Sequence, residues 1–135
     1  TRNLRAALRR ADFVVVTTPL TSETRGLIGA QELDCLPRHA GLVNLGRGAV
    51  VDYDALSTRL RARKLSGAVL DVFHEEPLPP GSSLWATPNV ILSPHCAVDD
   101  GRAYVTRCLH IFFDNLRRYL AGRPLRNVVD RARGY

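Results

Sequence analysis

The chain has 135 residues, a length that fits one domain and suffices to bury a core. Hydrophobic residues make up 45% and charged residues 24%, ordinary proportions for a globular protein, so disorder is excluded as the main state. The formal net charge of +6 comes almost wholly from arginine, Lys64 being the only lysine, and only Arg9-Arg10 and Arg117-Arg118 are adjacent. A nucleic-acid partner or a membrane surface asks for a denser basic stripe, so neither is expected and the basicity reads first as solvated surface.

Cys35, Cys96 and Cys108 form no Cys-x-x-Cys pair and leave an odd thiol over. They point to free thiols in a reducing compartment, hence a cytoplasmic location, with no disulfide framework and no metal site. No apolar run approaches a membrane span, and Thr1-Arg2-Asn3-Leu4 has no signal-peptide design. A chain that opens on Thr1 and contains no methionine is expected to be a fragment.

In chain order, Leu4, Ala7, Leu8 and Ala11 fall at helical spacing, with Thr1 as a candidate N-cap for a short helix over 3–10. Phe13-Val14-Val15-Val16 is a continuous β-branched and aromatic run, which predicts a strand covered on both faces. Thr17 to Thr21 forms a polar loop at its end, and residues 30–36 predict a helix stopped by Pro37. Residues 41–45 read as the next strand, broken by Gly46-Arg47-Gly48. Asp52 then caps a helix to about Arg63, with Tyr53, Leu56 and Leu60 on one face.

Residues 66–71 predict a third strand that ends on an acid and runs into the loop His74-Glu75-Glu76-Pro77. Residues 90–92 predict a fourth strand, which ends in Ser93-Pro94-His95. A longer helix is expected over 102–120, with Val105, Cys108, Leu109, Phe112, Leu116, Tyr119 and Leu120 as its apolar stripe, followed by a weakly packed polar tail. Strands alternating with helices specify an α/β fold with a mostly parallel sheet, in which ligands gather at the carboxyl ends of the strands. Thr18, Arg47, Asp71, Glu76 and His95 all fall at or just past those ends.

Each of these residues also has a plainer reading. Arg47 could be a solvated turn residue, although flanking glycines permit close backbone approach to a ligand. Asp71 reads equally as a strand terminator, Glu76 as a surface-turn charge, and His95 as a satisfied structural histidine. Cys96 reads as a packed thiol and Trp85 as a cover over apolar surface under its loop. His39, His74 and His110 have no partner legible in the sequence. The convergence of polar groups from separate segments on one sheet edge outweighs any member alone.

Asn44-Leu45-Gly46-Arg47-Gly48 with Val51-Asp52, Leu70-Asp71-Val72-Phe73 running to Glu76-Pro77-Leu78-Pro79, and Pro88-Asn89-Val90 with Ser93-Pro94-His95 resemble the D-isomer-specific 2-hydroxyacid dehydrogenases. Thr18-Pro19-Leu20-Thr21, Glu23 to Ile28 and Asn127-Val128-Val129-Asp130 are similar to the same family, so the resemblance covers nearly the whole chain. It implies the second half of a Rossmann-like, doubly wound cofactor domain over 1–101, and a crossover helix and tail over 102–135 that return toward a substrate domain. It also implies that Arg47 holds the substrate carboxylate, that His95 donates the proton, and that Glu76 is its paired acid. Thr18, Leu45, Gly46, Arg47, Asp71, His95 and Ala97 would edge the pocket of NAD or NADP, with NAD favoured. The implied partners are a small 2-keto or 2-hydroxy acid and, when the protein is complete, a second copy in a homodimer.

The chemistry suits these residue types. An imidazole has an ordinary pKa of about 6.5, near working pH, and a guanidinium can bind both oxygens of a carboxylate. The sequence departs from the family after the histidine, where Asp99 and Asp100 stand near an expected hydroxyl and are expected to cap the long helix. No Gly-x-Gly-x-x-Gly precedes the first strand, so the 135 residues alone are expected to be inactive. The alternatives are a non-catalytic NAD(H)-sensing interaction module of the co-repressor type and, on charge alone, a polyanion-binding module.

Overall fold

The computed structural model describes residues 3–97, 100–101 and 103–134. It divides into two compact units, residues 1–97 and 98–135.

The first unit is built on a parallel sheet of four strands, β1 (Phe13–Val16), β2 (Gly41–Asn44), β3 (Gly67–Leu70) and β4 (Val90–Leu92), in the order β1-β2-β3-β4. Helix α1 (Leu4–Leu8) precedes β1, α2 (Ala30–Leu33) and α3 (Tyr53–Arg61) connect β1 to β2 and β2 to β3, and a 3₁₀ turn at Ser83–Ala86 lies before β4. Parallel strands need crossover connections, and a sheet that grows in one direction through right-handed crossovers places them all on one face. The core lies on that face, where Leu33, Leu42, Leu56, Leu60 and Leu70 are each at most 2% exposed.

The expectation that β1 is covered on both faces is corrected here. Phe13 is 72% and Val15 56% exposed, and Ile91 in β4 is 66% exposed. The register sets Val15, Val43, Val69 and Ile91 in one row across the sheet, and the Phe13 ring lies over Gly41, where an added Cβ would come within 2.9 Å of it. A one-directional sheet has no crossover to lay over this second face. Within residues 3–97, no helix covers it.

The local signals explain the element ends. Thr1 lies outside the described residues, and the N-cap of α1 is Asn3, whose Oδ1 accepts from the Ala6 N–H at 3.1 Å. Asp52 caps α3 as expected, its Oδ1 accepting from the Ala55 N–H at 2.9 Å. Helix α2 ends at Leu33, earlier than expected, because Cys35 and Leu36 donate to the carbonyls of Glu32 and Leu33 in tight i→i−3 turns before Pro37.

The second unit holds α4 (Tyr104–Leu120), none of whose side chains is buried. The Asn115 side chain exchanges hydrogen bonds with the backbone of Arg126 at 2.8 and 3.0 Å, tying the tail to the helix. The expected cap is corrected: Asp100 Oδ1 accepts from the Ala103 N–H at 3.2 Å, one turn ahead, but the N-cap of α4 is Ala103, whose methyl side chain cannot accept a hydrogen bond; Asp99 lies outside the described residues. Among the described residues, no helix is long and apolar enough to cross a membrane.

Candidate active site

The carboxyl edge of the sheet is where the strands deliver polar groups. At the tip of β2 the chain turns at Gly46, where an added Cβ would sit 2.8 Å from the Thr18 carbonyl oxygen, so the turn lies directly against the end of β1. Arg47 follows in an extended conformation with its side chain exposed and its Nη1 donating to the Gly46 carbonyl at 2.7 Å.

At the tip of β3, Asp71 is 2% exposed. One carboxylate oxygen accepts from the Ser93 hydroxyl at 2.6 Å and the Cys96 N–H at 2.9 Å, and the other accepts from the Ala97 N–H at 2.9 Å. Burial pushes this carboxyl upward, but the Ser93, Cys96 and Ala97 hydrogen bonds outweigh it and hold the group below its ordinary range. Asp71 therefore grips the segment on both sides of His95. That grip matters because His95 has φ +55°, a left-handed conformation that a non-glycine residue keeps only when its surroundings impose it.

Glu76 arrives from the loop after β3. Its Oε1 accepts from the Phe73 N–H at 2.8 Å, which folds the loop back, and its Oε2 lies 2.7 Å from His95 Nδ1. The hydrogen bond to His95 and the Phe73 N–H hold the Glu76 carboxyl below its usual range, with a further contribution from the Arg47 charge. An ionised carboxylate only accepts, so His95 Nδ1 carries the shared proton and Nε2 is the nitrogen left for chemistry. Beside the pair lies a cavity of about 520 Å³ walled by Pro77, Leu78, Trp85 and Pro94. Trp85 is 58% exposed with its Nε1 donating to the Pro79 carbonyl at 2.9 Å, and it stands at the cavity wall with Pro77 and Leu78.

The structure thus brings Glu76 and His95 into contact and sets Arg47 within electrostatic reach of Glu76. A nicotinamide cofactor can be tested against the neighbouring residues. Thr18 Oγ1 is buried at the end of β1 without a hydrogen-bond partner among the described residues, an unsatisfied group of the kind a ligand would pair. Gly46 lets the turn pack on the Thr18 backbone, which brings the two strand ends together, and Leu45 beside it is 37% exposed, an apolar side chain available to a flat ring. These residues fit the group.

Sequence reading missed several contacts. His39 Nε2 lies 2.9 Å from Asp12 Oδ1, and His74 packs on Tyr53. Asn44 and Ser93 also went without a role, although a buried-strand end carrying an amide before Gly-x-Gly is a signal that could have been read.

Residues 1–97 match the family described as D-isomer specific 2-hydroxyacid dehydrogenase, NAD binding domain. The glyoxylate reductase of Aeropyrum pernix is 43% identical over 130 residues, covering 96% of this chain and 38% of the relative. The glyoxylate/hydroxypyruvate reductase B of Pectobacterium carotovorum is 42% identical, covering 95% and 40%. A D-isomer specific 2-hydroxyacid dehydrogenase of Xanthobacter autotrophicus, solved with NADPH and MES, superposes with a TM-score of 0.88 at 46% identity over 98% of this chain and 53% of that one. An NADPH-dependent glyoxylate/hydroxypyruvate reductase of Sinorhizobium meliloti, solved with NADP and sulfate, gives a TM-score of 0.89 at 36% identity over 98% and 42%. The chain spans about two fifths of the length of these curated relatives. The sheet order and these likenesses agree: the chain belongs to the D-isomer specific 2-hydroxyacid dehydrogenases, its residues 1–97 matching their NAD-binding domain.

Proposed function

We propose that this chain supplies the carboxylate-binding and proton-donating part of an oxidoreductase that interconverts small 2-keto and 2-hydroxy acids with a nicotinamide cofactor. The observation that carries the reading is the Glu76–His95 pair at 2.7 Å with Arg47 beside it on the carboxyl edge of a parallel sheet. Arg47 binds both oxygens of the substrate carboxylate and draws electron density from the adjacent carbonyl. When bound, the reduced cofactor supplies the hydride that goes to the carbonyl carbon. His95 Nε2 gives its proton to the oxygen as negative charge develops there, and Glu76 holds the ring in place and stabilises the imidazolium before transfer. In the oxidative direction the same nitrogen takes the hydroxyl proton.

Thr18, Leu45, Gly46, Arg47, His95 and Ala97 are proposed to edge the nicotinamide end of the cofactor, with Asp71 contributing through the loop it holds. The cofactor is read as NAD or NADP. The preference for NAD has no support among the relatives, since the two solved ones described above hold NADPH or NADP. Glyoxylate and hydroxypyruvate, named for the relatives, are the first substrates to try. Residues 102–135 are read as a crossover helix and tail that join a substrate domain, with a homodimer as the working form in the cytoplasm and the 135 residues inactive by themselves.

The test is cofactor oxidation by glyoxylate and hydroxypyruvate in the whole reading frame that carries this chain. His95→Ala is expected to lower kcat by roughly two to four powers of ten while cofactor binding is kept. Unchanged turnover refutes the proton-donor role, and cofactor binding without turnover in the unaltered protein favours a sensing module instead.

A further inference from the structure

The loops that carry Arg47 and Glu76 are joined by three side chains. Asn44, 0% exposed at the end of β2, accepts the Gly46 N–H on its Oδ1 at 3.1 Å and donates through Nδ2 to the Arg47 carbonyl at 3.2 Å. One buried amide thereby holds the backbone on both sides of the Arg47 Cα. The same Nδ2 donates to the Tyr53 hydroxyl at 2.9 Å, and that hydroxyl donates to the Val72 carbonyl at 2.6 Å. Val72 opens the loop that runs to Glu76. Burial pushes the Tyr53 hydroxyl far above the ordinary phenol range, so it remains a donor at any working pH.

His74 makes a second link between the same two loops. Its ring stacks on Tyr53 with centroids 4.9 Å apart and planes at 7°. Its Nε2 lies 3.0 Å from the Gly48 carbonyl oxygen and 3.1 Å from that of Val51. Both oxygens only accept, so Nε2 carries a proton and shares it between them. Gly48 closes the joint: an added Cβ would come within 2.2 Å of the Phe73 carbonyl carbon.

We propose that Asn44, Tyr53 and His74 are positioning residues that hold the Arg47 loop in register with the Glu76 loop, and so fix the spacing between the bound carboxylate and the proton donor. The proposal rests on the reductase reading above. Arg47 is exposed, and its guanidinium leans on its own neighbour's carbonyl, so its placement is inherited from the backbone that Asn44 grips. Both links end on the two functional loops. A network that served stability alone would have no reason to join these segments in particular. In a site where an ångström of misplacement is worth roughly a hundredfold in rate, a joint of this kind acts on turnover directly.

Tyr53→Phe keeps the ring and its stack on His74 but strips the hydroxyl from Asn44 and Val72. In the whole reading frame it is expected to raise KM for glyoxylate about tenfold and lower kcat/KM by roughly 10- to 100-fold, with the cofactor Kd unchanged. Hydrogen exchange should rise over residues 45–52 and 72–76 and stay unaltered in β3. His74→Phe, at an exposed ring, should act in the same direction and carries the test if Tyr53→Phe does not fold. Loss of stability throughout the chain with KM and kcat unchanged overturns the proposal alone. An unaltered protein without keto-acid turnover overturns the reductase reading and this proposal with it.

Discussion

Replacing Asp71 with asparagine tests how the His95 segment is held. The carboxylate accepts three hydrogen bonds at 2.6 to 2.9 Å while 2% exposed. Asparagine keeps one acceptor oxygen and turns an NH₂ group toward a backbone N–H, so at least one charge-assisted bond is lost and one buried donor is orphaned. Each of those losses is worth about 1.5 to 3 kcal/mol, and their overlap gives about 3 kcal/mol for the substitution. The left-handed His95 at φ +55° stores strain of roughly 1 to 3 kcal/mol that the clamp must hold, so the first consequence is release of residues 93–97. Urea denaturation should show a lower midpoint, and hydrogen exchange should rise first at Cys96 and Ala97. The sign of the pH dependence follows from the depressed folded-state pKa of Asp71. Its contribution is fully present above the unfolded value of about 3.9 and is lost as pH falls through the folded value. The difference between the unaltered chain and Asp71→Asn should be constant from about pH 5 to pH 8 and narrow below about pH 4. An unchanged midpoint with unchanged exchange at 93–97, or a difference that persists undiminished in acid, refutes the clamp.

Gly48→Ala places a methyl group 2.2 Å from the Phe73 carbonyl carbon, whereas Gly81→Ala meets nothing within 4 Å. The first should destabilise by roughly 3 kcal/mol and the second by less than about 0.5, read as urea midpoints; equal effects would show that the two loops are not in close contact. Arg47→Lys keeps the charge and loses the two-pronged geometry. It should raise the keto-acid KM by about tenfold with cofactor affinity unaltered, and a KM equal to that of the unaltered protein would remove Arg47 from substrate binding.

The strands were legible almost to the residue because β-branched apolar runs bounded by turn chemistry have few other uses, as at Phe13–Val16 and Val90–Leu92. The end of α2 was not, because Cys35 and Leu36 continue a helical apolar spacing while the backbone has already tightened ahead of Pro37. Glu76 and His95 were legible as a pair through the family resemblance, Glu76 in the loop after β3 and His95 just past β4. The grip of Asp71 on backbone amides 25 and 26 residues away leaves no trace in residue type, since any sequence supplies an N–H there. The Tyr53–His74 stack was hidden for a related reason: both side chains look like ordinary surface or core residues until the loops are folded together.

The two halves of the proposed chemistry differ in how far this chain can build them. The side-chain contacts that join Glu76, His95 and the Arg47 loop lie past the ends of β2, β3 and β4, and the Arg47 loop also rests on β1 through the Leu45 N–H, which donates to the Val16 carbonyl at 2.9 Å. On the proposed reading, the proton-donating geometry is set by the loops at the strand tips. The cofactor cradle has a different dependence. Thr18 lies at the end of β1, which among the described residues is an edge strand paired only with β2, and its hydroxyl has no partner among them. In doubly wound sheets a dinucleotide sits where the strand order reverses, which requires a further strand on the far side of β1. The row of Val15, Val43, Val69 and Ile91, with Phe13 over Gly41, points to the same need, because a parallel sheet is stable with both faces covered and this one presents an apolar face within residues 3–97. On the proposed reading, the acid–base pair rests on loops past β3 and β4, whereas the proposed cofactor cradle includes Thr18 at the end of β1 and so calls for a strand beside it.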